Sequence, residues 1–556
     1  TGMNPANELM TIDVSTNNGT TWTPISGNIT TDIGYGTRFT DYSYDLTGYI
    51  NQPNLKVRIR YYTDTWANGA AVDDIELYGL KPLTTALNWT GTPLPDVYTD
   101  AATTLPYTAG TPATTVYVKP NLAQLENGDY TFTATATLTN GCNVSQNITI
   151  FNKSTIWKGT VSNDWNNPSN WNPPVVPDAN SCVIIPSLAN SNNNKSEIIG
   201  PGFNGFGKTL IVKNDGVLEV NAVNTLTITD FVQVDPTGTF LIEDSSSLIQ
   251  INNVSNVGAI TVKRNSAPQV RLDYTLWSAP VAGQQMQAFS PLTLANRFYN
   301  YDSNTNFYTV VTSPSTTSFE TAKGVLIRVA NTHSASQPQS WTGTFTGVPN
   351  SGTYTIPLAN FGPGKRFTLV GNPYPSPMDP EAFITNPNNA AAITGTLYLW
   401  RKTNGSNKPS YCTFNLGGFI TNGEERANEV ANLPYQVIQT GQGFFVEGTG
   451  AGSGNVVFDN TMRVDDHTNS FLRTANTAHS ANTVERNRIW LNVTNAAGAF
   501  SQAMIGYVTN ATNGFDMNYD GKYINDGEIA LASVLDAEPY AIQCKALPFS
   551  TSDVIP

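Results

Sequence analysis

Histidine and cysteine are nearly missing from this chain, with three and four residues in 556. His333, His467 and His479 lie in Ser/Thr/Asn-rich stretches with no His-x-x-x-His, His-x-x-Glu or triad-like neighbour, so each reads as a solvated loop residue. Cys142, Cys182, Cys412 and Cys544 are too widely spread for CxxC or any other metal spacing, and disulfides are not the framework. Charge is scarce as well, at 13%, and positive charge is the scarcer sign: 29 Lys and Arg against 42 Asp and Glu, for a net charge of -13. Nucleic acid and anionic membranes are therefore not expected partners, since a polyphosphate needs clustered cations. The acidity serves solubility and leaves carboxylates available to calcium. No apolar run approaches membrane-spanning length. No G-x-S-x-G, P-loop or dinucleotide fingerprint occurs, and nothing reads as an active site. Paired carboxylates can still meet in space, but no segment clusters acids with aromatics as a glycanase cleft does.

What fills the chain instead is Asn, Thr, Ser and Gly, with 44 Gly and 34 Pro, a composition that supplies short strand connections. An aromatic share of 10% and regular apolar spacing argue against disorder. The length exceeds one hydrophobic core, so about three to five domains are expected. The fold class expected is all-β: a multidomain array of β-sandwiches, jelly-roll and Ig-like, with a β-solenoid-like segment and further sandwich modules. The chain opens at Thr1 without an initiator Met or signal peptide, and both ends are expected to be cut from a longer precursor.

Residues 1–79 form the first module. Met10 to Ser15 and Val57, Ile59 and Tyr61, alternating with Lys56, Arg58 and Arg60, have the period of a half-buried antiparallel sheet, with a turn at Asn17-Asn18-Gly19 between them. Ala71 to Leu77 closes the module. Residues 80–153 read as an Ig-like sandwich, with Phe132, Ala134, Ala136 and Leu138 facing one way and threonines between them. Asp129-Tyr130 has the look of a tyrosine corner.

Residues 154–265 begin with Trp157, Trp165 and Trp171 and then repeat inward pairs: Leu210/Val212, Leu218/Val220, Leu226/Ile228, Val232/Val234, Phe240/Ile242, Ile249/Ile251 and Ile260/Val262. Successive pairs are 8, 8, 6, 8, 9 and 11 residues apart. Short strands at near-constant spacing bury their apolar faces only by stacking, so a β-solenoid is expected, or failing that a meander, with the tryptophans capping its end. Residues 266–463 and 487–556 carry further strands around a polar loop at 464–486, and Met378 to Ile384 has the only helical signal.

Three groups are candidate sites. Asp516-Met517-Asn518-Tyr519-Asp520-Gly521 follows the first half of a calcium loop, D-x-N-x-D-G, in which alternate oxygens converge and Gly permits the turn. The twelfth position is Gly527, with Asp526 and Glu528 on either side, so the alternative is a plain acidic turn. Asp73 and Asp74 are adjacent on a strand and point to opposite faces, leaving one to face inward as a structural calcium ligand or both to guard an edge strand. Trp22, Tyr61, Tyr62 and Trp66 offer rings for a sugar platform or for core packing.

The phrases VSTNNGTTW, VRIRYY and AVDDIEL resemble MAM-like or carbohydrate-binding-module-like jelly rolls of secreted bacterial proteins. WKGTVSNDWNNPSNW, TLWSAPVAGQQMQAFSP, LANRFYNYDS, FTLVGNPYPSPMD, LYLWRK, VIQTGQGFFVEG, NGFDMNYDGKYI and ALPFSTSDVIP resemble, in order, the surface proteins exported by the type IX secretion system of Bacteroidota, flavobacteria especially. That resemblance implies an extracellular, cell-surface location. It also implies the type IX translocon and outer-membrane shuttle proteins as partners during export, and a C-terminal sorting domain that would begin where this chain stops, at Pro556. The leading functional expectation is a non-catalytic adhesin or structural stalk with surface glycans or other surface proteins as partners, stiffened by structural Ca2+. The rivals are accessory modules of an exported protease or glycanase, and a carbohydrate-binding protein.

Overall fold

The computed structural model describes residues 8–30, 43–49, 52, 54–64, 75–76, 88–92, 96–120, 129–137, 142–400, 408–423, 437–450, 454–465 and 486–555. They are nearly all β, as the composition implies, with two short α-helices, Met286–Phe289 and Pro380–Thr385. The second lies where the helical signal is; Asp379 caps it, accepting from the backbone N–H of Glu381 and Ala382. The chain divides into two compact units, residues 1–87 with 112–115, and residues 88–111 with 116–556.

In the first unit Glu8–Ser15 pairs antiparallel with Lys56–Thr63 over eight rungs, and Thr23–Pro24 flanks it. The pleat puts Met10, Ile12 and Val14 with Tyr61, Ile59 and Val57 on one face, and Thr11, Asp13 and Ser15 with Arg60, Arg58 and Lys56 on the other. The turn falls at Asn17-Asn18-Gly19: Asn18 and Gly19 take positive φ, and Ser15 Oγ accepts from Gly19 N at 2.8 Å. Of the expected closing strand, residues 71–74 and 77 lie outside the described residues.

The second unit begins with a three-stranded antiparallel sheet, Asn88–Thr92, Tyr130–Thr137 and Asn143–Ile150. Phe132 and Ala136 are buried on one face. On the other, Thr131, Thr133, Thr135 and Thr137 each meet a Thr, Asn or Ser across the strand at 2.7 to 2.9 Å.

Residues 182–265 form a parallel β-solenoid of three sheets. One sheet stacks Cys182–Ile185, Thr209–Val212 and Val232–Val234; the next Ser196–Ile198, Val217–Val220, Thr239–Ile242 and Ile260–Asn265; the third Asn204–Gly207, Thr225–Ile228 and Ser247–Gln250. Leu210 pairs with Val232, Leu218 with Phe240 and Leu226 with Leu248, so one coil comprises the successive spacings of 8, 8 and 6 residues. The inward Leu, Val and Ile side chains are fully buried, each contributing about 1.5–3 kcal/mol by leaving water. The last coil departs from the apolar pattern. Leu248 and Gln250 face inward while Ile251 is exposed, because Gln250 finds partners inside, donating to Asp230 O and exchanging hydrogen bonds with Asn256.

The first end of the solenoid is closed by tryptophan. Thr155–Trp157 adds to Cys182–Ile185 in parallel and pairs with Trp171–Asn172, bringing three buried indoles together edge to face at 4.6 and 5.0 Å. Trp171 Nε1 donates to Trp165 O at 2.7 Å, and Trp157 Nε1 to Asn194 O at 3.0 Å. At the other end Ile260–Asn265 is parallel to Thr239–Ile242 on one side and antiparallel to Thr342–Pro349 on the other, so one sheet continues out of the solenoid into the neighbouring sandwich. The core is correspondingly continuous from Trp157 to Phe345.

Beyond it a four-stranded sheet (Tyr274–Trp277, Val325–Arg328, Phe298–Asp302, Phe307–Val310) packs on a five-stranded one (Phe367–Gly371, Gly443–Gly448, Ile393–Trp400, Tyr411–Phe414, Phe419–Ile420) through Leu276, Leu326, Leu369, Tyr398 and Phe445. A last sheet contains Arg486–Thr494, Phe500–Val508, Glu538–Lys545 and Gly521–Lys522.

Candidate functional site

The D-x-N-x-D-G loop folds back on its own backbone and on the neighbouring sandwich. The Asp520 carboxylate, 2% exposed, accepts from Asp516 N and from Cys544 N, each at 2.7 Å. Burial, with the charge of Asp516 adding to it, pushes this carboxyl up to about 6. Asp516 itself accepts from the backbone N–H and the hydroxyl of Thr512. Asn518 takes positive φ; its N–H donates to Thr394 O, its carbonyl accepts from Leu416 N, and its Oδ1 is buried with no hydrogen-bond partner, on the side of Gly395. A Cβ on Gly395 would collide with that oxygen, so glycine is required there.

The second half of the loop goes elsewhere. Asp526 accepts from Ser410 N at 2.7 Å, and Glu528 is exposed. Among the described residues no group of three or more His, Cys, Asp or Glu side chains is gathered as a metal cluster. The chemistry on view at Asp516, Asn518 and Asp520 is that of a clamp, which ties the last sheet to the strand Ile393–Trp400 and to the turn Asn415–Gly418.

Of the aromatic group, Tyr61 and Tyr62 point to opposite faces of their strand, and Trp66 lies outside the described residues, as do Asp73 and Asp74. The Trp22 indole donates to Gly19 O at 3.0 Å, and the Arg58 guanidinium covers the ring at 4.3 Å. Arg58 Nε lies 2.8 Å from Asp13 Oδ2. Burial raises the Asp13 carboxyl, and hydrogen bonds from Arg58 and Thr11 with the Arg58 and Arg60 charges more than offset it, so it stays below the ordinary value. The sequence pattern already marks Arg58 and Arg60 as the wet side of this strand, but the search for rings draws attention away from the cations.

His333 is not the solvated loop residue its surroundings suggest. Its Nε2 lies 3.0 Å from both Gln269 O and Gln339 O, which makes that nitrogen a donor.

The loop Asn372 to Asp379, within the phrase FTLVGNPYPSPMD, is a buried polar junction. Asn372 Nδ2 donates to Ser376 O, Ile438 O and Gln439 O, and Tyr374 Oη donates to Gly352 O. Arg463 enters from the far side. Its Nε donates to Ser376 Oγ, Nη1 to Asn460 Oδ1 and Nη2 to Leu248 O, and its guanidinium stacks 4.8 Å over Tyr374. Burial lowers this guanidinium to about 10. Leu248 N in turn donates to Pro375 O at 2.8 Å. The last strand of the third solenoid sheet is thereby sealed. Nothing local in the sequence couples residue 463 to residue 248.

No curated protein and no solved structure matches the chain. A family model described as a domain of unknown function, DUF8693, matches residues 156–556, which begin at the first strand of the tryptophan cap and run through the solenoid, the sandwich and the last sheet. By that match over most of its length, the chain belongs to the DUF8693 family.

Proposed function

We propose that residues 156–556 are a rigid, non-catalytic display body of an exported cell-surface protein, acting as an adhesin or as the stalk that carries one. The observation that supports this most is the sheet shared by the solenoid and the adjoining sandwich through Ile260–Asn265. A strand hydrogen-bonded on both sides transmits force between the two without a hinge, as a surface element under tension must. Closure of both solenoid ends also favours a fixed-length element over a polymerising one. The test is a deletion of residues 156–556 in the organism that makes the protein, followed by protease shaving of intact cells and a surface-attachment assay. Loss of attachment with a wild-type level of export of the remaining chain is the expected result. Unchanged attachment, or a chain retained inside the cell in the wild type, would overturn the reading.

A structural calcium ion in the 516–528 loop is a separate proposal. Its support is Asp520, a buried carboxyl beside Asp516 in the D-x-N-x-D-G spacing, where a divalent cation would offset two like charges. A calcium-dependent rise in Tm that Asp520→Asn abolishes would carry it; equal melting in calcium and in chelator would end it.

A further inference from the structure

The strand Lys56–Thr63 in the first unit presents Lys56, Arg58, Arg60 and Tyr62 in a row on one face. Strand geometry spaces the cations by about 6.7 Å, so the row of three covers about 13 Å. The only acid paired with it among the described residues is Asp13, whose Oδ2 lies 2.8 Å from Arg58 Nε and 3.9 Å from Arg60 Nε. Among the described residues three positive charges thus face one negative charge, and the Arg58 and Arg60 side chains remain 36% and 48% exposed. Lys56 has no acidic partner among the described residues. In a chain with a net charge of -13 and 29 Lys and Arg against 42 Asp and Glu, such a local surplus runs against the overall balance.

The row is also built to hold its shape. The Trp22 ring is fixed by its own hydrogen bond to Gly19 O, lies under the Arg58 guanidinium, and shares with Lys56 Cδ the space beside Gly19. Arg60 Nε donates to Thr11 Oγ1 at 3.4 Å. At the far end Tyr62, 54% exposed, offers an open phenol ring. Forked guanidinium donors suit carboxylate and sulfate, and an exposed ring suits the CH face of a sugar.

We infer that this face binds an acidic glycan, a polysaccharide bearing carboxylate or sulfate groups. Arg58 and Arg60 receive the acid groups, Lys56 extends the contact by one unit, and Tyr62 stacks on a ring. A nucleic acid fits less well, because among the described residues this face offers one exposed ring, Tyr62, and so no path along which successive bases stack. The inference is independent of the role proposed for residues 156–556.

The experiment uses the full chain on sensors carrying polygalacturonate, dextran sulfate, neutral dextran or a single-stranded oligodeoxynucleotide, at low and at high salt. The expected result is salt-sensitive binding to polygalacturonate or dextran sulfate, which tells carboxylate from sulfate, and none to neutral dextran. Arg58→Gln with Arg60→Gln should weaken it more than about tenfold. Arg58 also holds Asp13, so Lys56→Gln with Arg60→Gln, which leaves that pair intact, is the second variant and should weaken binding about fivefold. Unchanged binding in the second variant, equal binding to neutral dextran, or tighter binding to the oligonucleotide would overturn the inference.

Discussion

The two ends of the solenoid are closed by opposite chemistry. At the first, three indoles cover the exposed core with apolar surface, braced by the buried Asn170, whose side chain accepts from Val161 N and Ser162 N and donates to Asp164 O. At the other, a loop and a buried guanidinium meet the backbone edge of the last strand with hydrogen bonds. An open coil has two liabilities, an unroofed core and a row of unpaired backbone groups. At the far end the core is roofed by the sandwich, continuous to Phe345, and what remains to be met at the edge of the third sheet is met by donors and acceptors. The difference teaches that the tryptophan end should be sensitive to lost volume and the arginine end to lost hydrogen bonds.

The largest effect is expected at the first end. Trp165→Ala removes a fully buried ring and should cost about 3–5 kcal/mol in urea unfolding of the second unit. At the arginine end, Arg463→Ala should cost about 2–3 kcal/mol, because Leu248 O, Ser376 and Asn460 lose a charged donor. Arg463→Met, which keeps the volume but loses the same three donated hydrogen bonds, should cost about as much, about 2–3 kcal/mol. If Met proves clearly milder than Ala, the arginine end also depends on volume and the contrast between the ends is wrong. Gly205→Ala, whose Cβ would lie 2.9 Å from Ile198 Cδ1 and 3.3 Å from Trp165 Nε1, should cost about 1–2 kcal/mol by crowding the tryptophan end.

An effect of another kind, read in pH, lies away from both ends and serves as their control. Asp520 is raised from 3.8 to about 6, so the folded state holds this proton more tightly than the unfolded chain. Its contribution to stability is therefore present below about 4 and is lost as pH rises through about 6. Asp520→Asn should flatten Tm against pH across that window by about 2 °C and leave the responses of Trp165 and Arg463 variants unchanged.

Much of the fold could be read before any coordinates. The runs at Tyr274, Phe298, Val325, Phe367, Leu397, Gly443 and Ile489 are strands, because β-branched and aromatic residues between turn formers have few other uses. Less of the candidate sites was legible. The D-x-N-x-D-G spacing identifies a tight acidic turn, but its carboxylates serve the backbone around them. The aromatic group contains two tyrosines that a period of two must separate.

Sequence alone determined the all-β class, the alternation along Lys56–Thr63, and the 8, 8 and 6 residue spacings, since alternation and turn residues are local properties. Tertiary structure decided that these spacings make a coil of three strands, that Gln250 and not Ile251 faces inward, and that Arg463 closes a strand 215 residues away in sequence. Strand partners and polar burial are set by what lies across the core, and a linear pattern does not record its own neighbours in space.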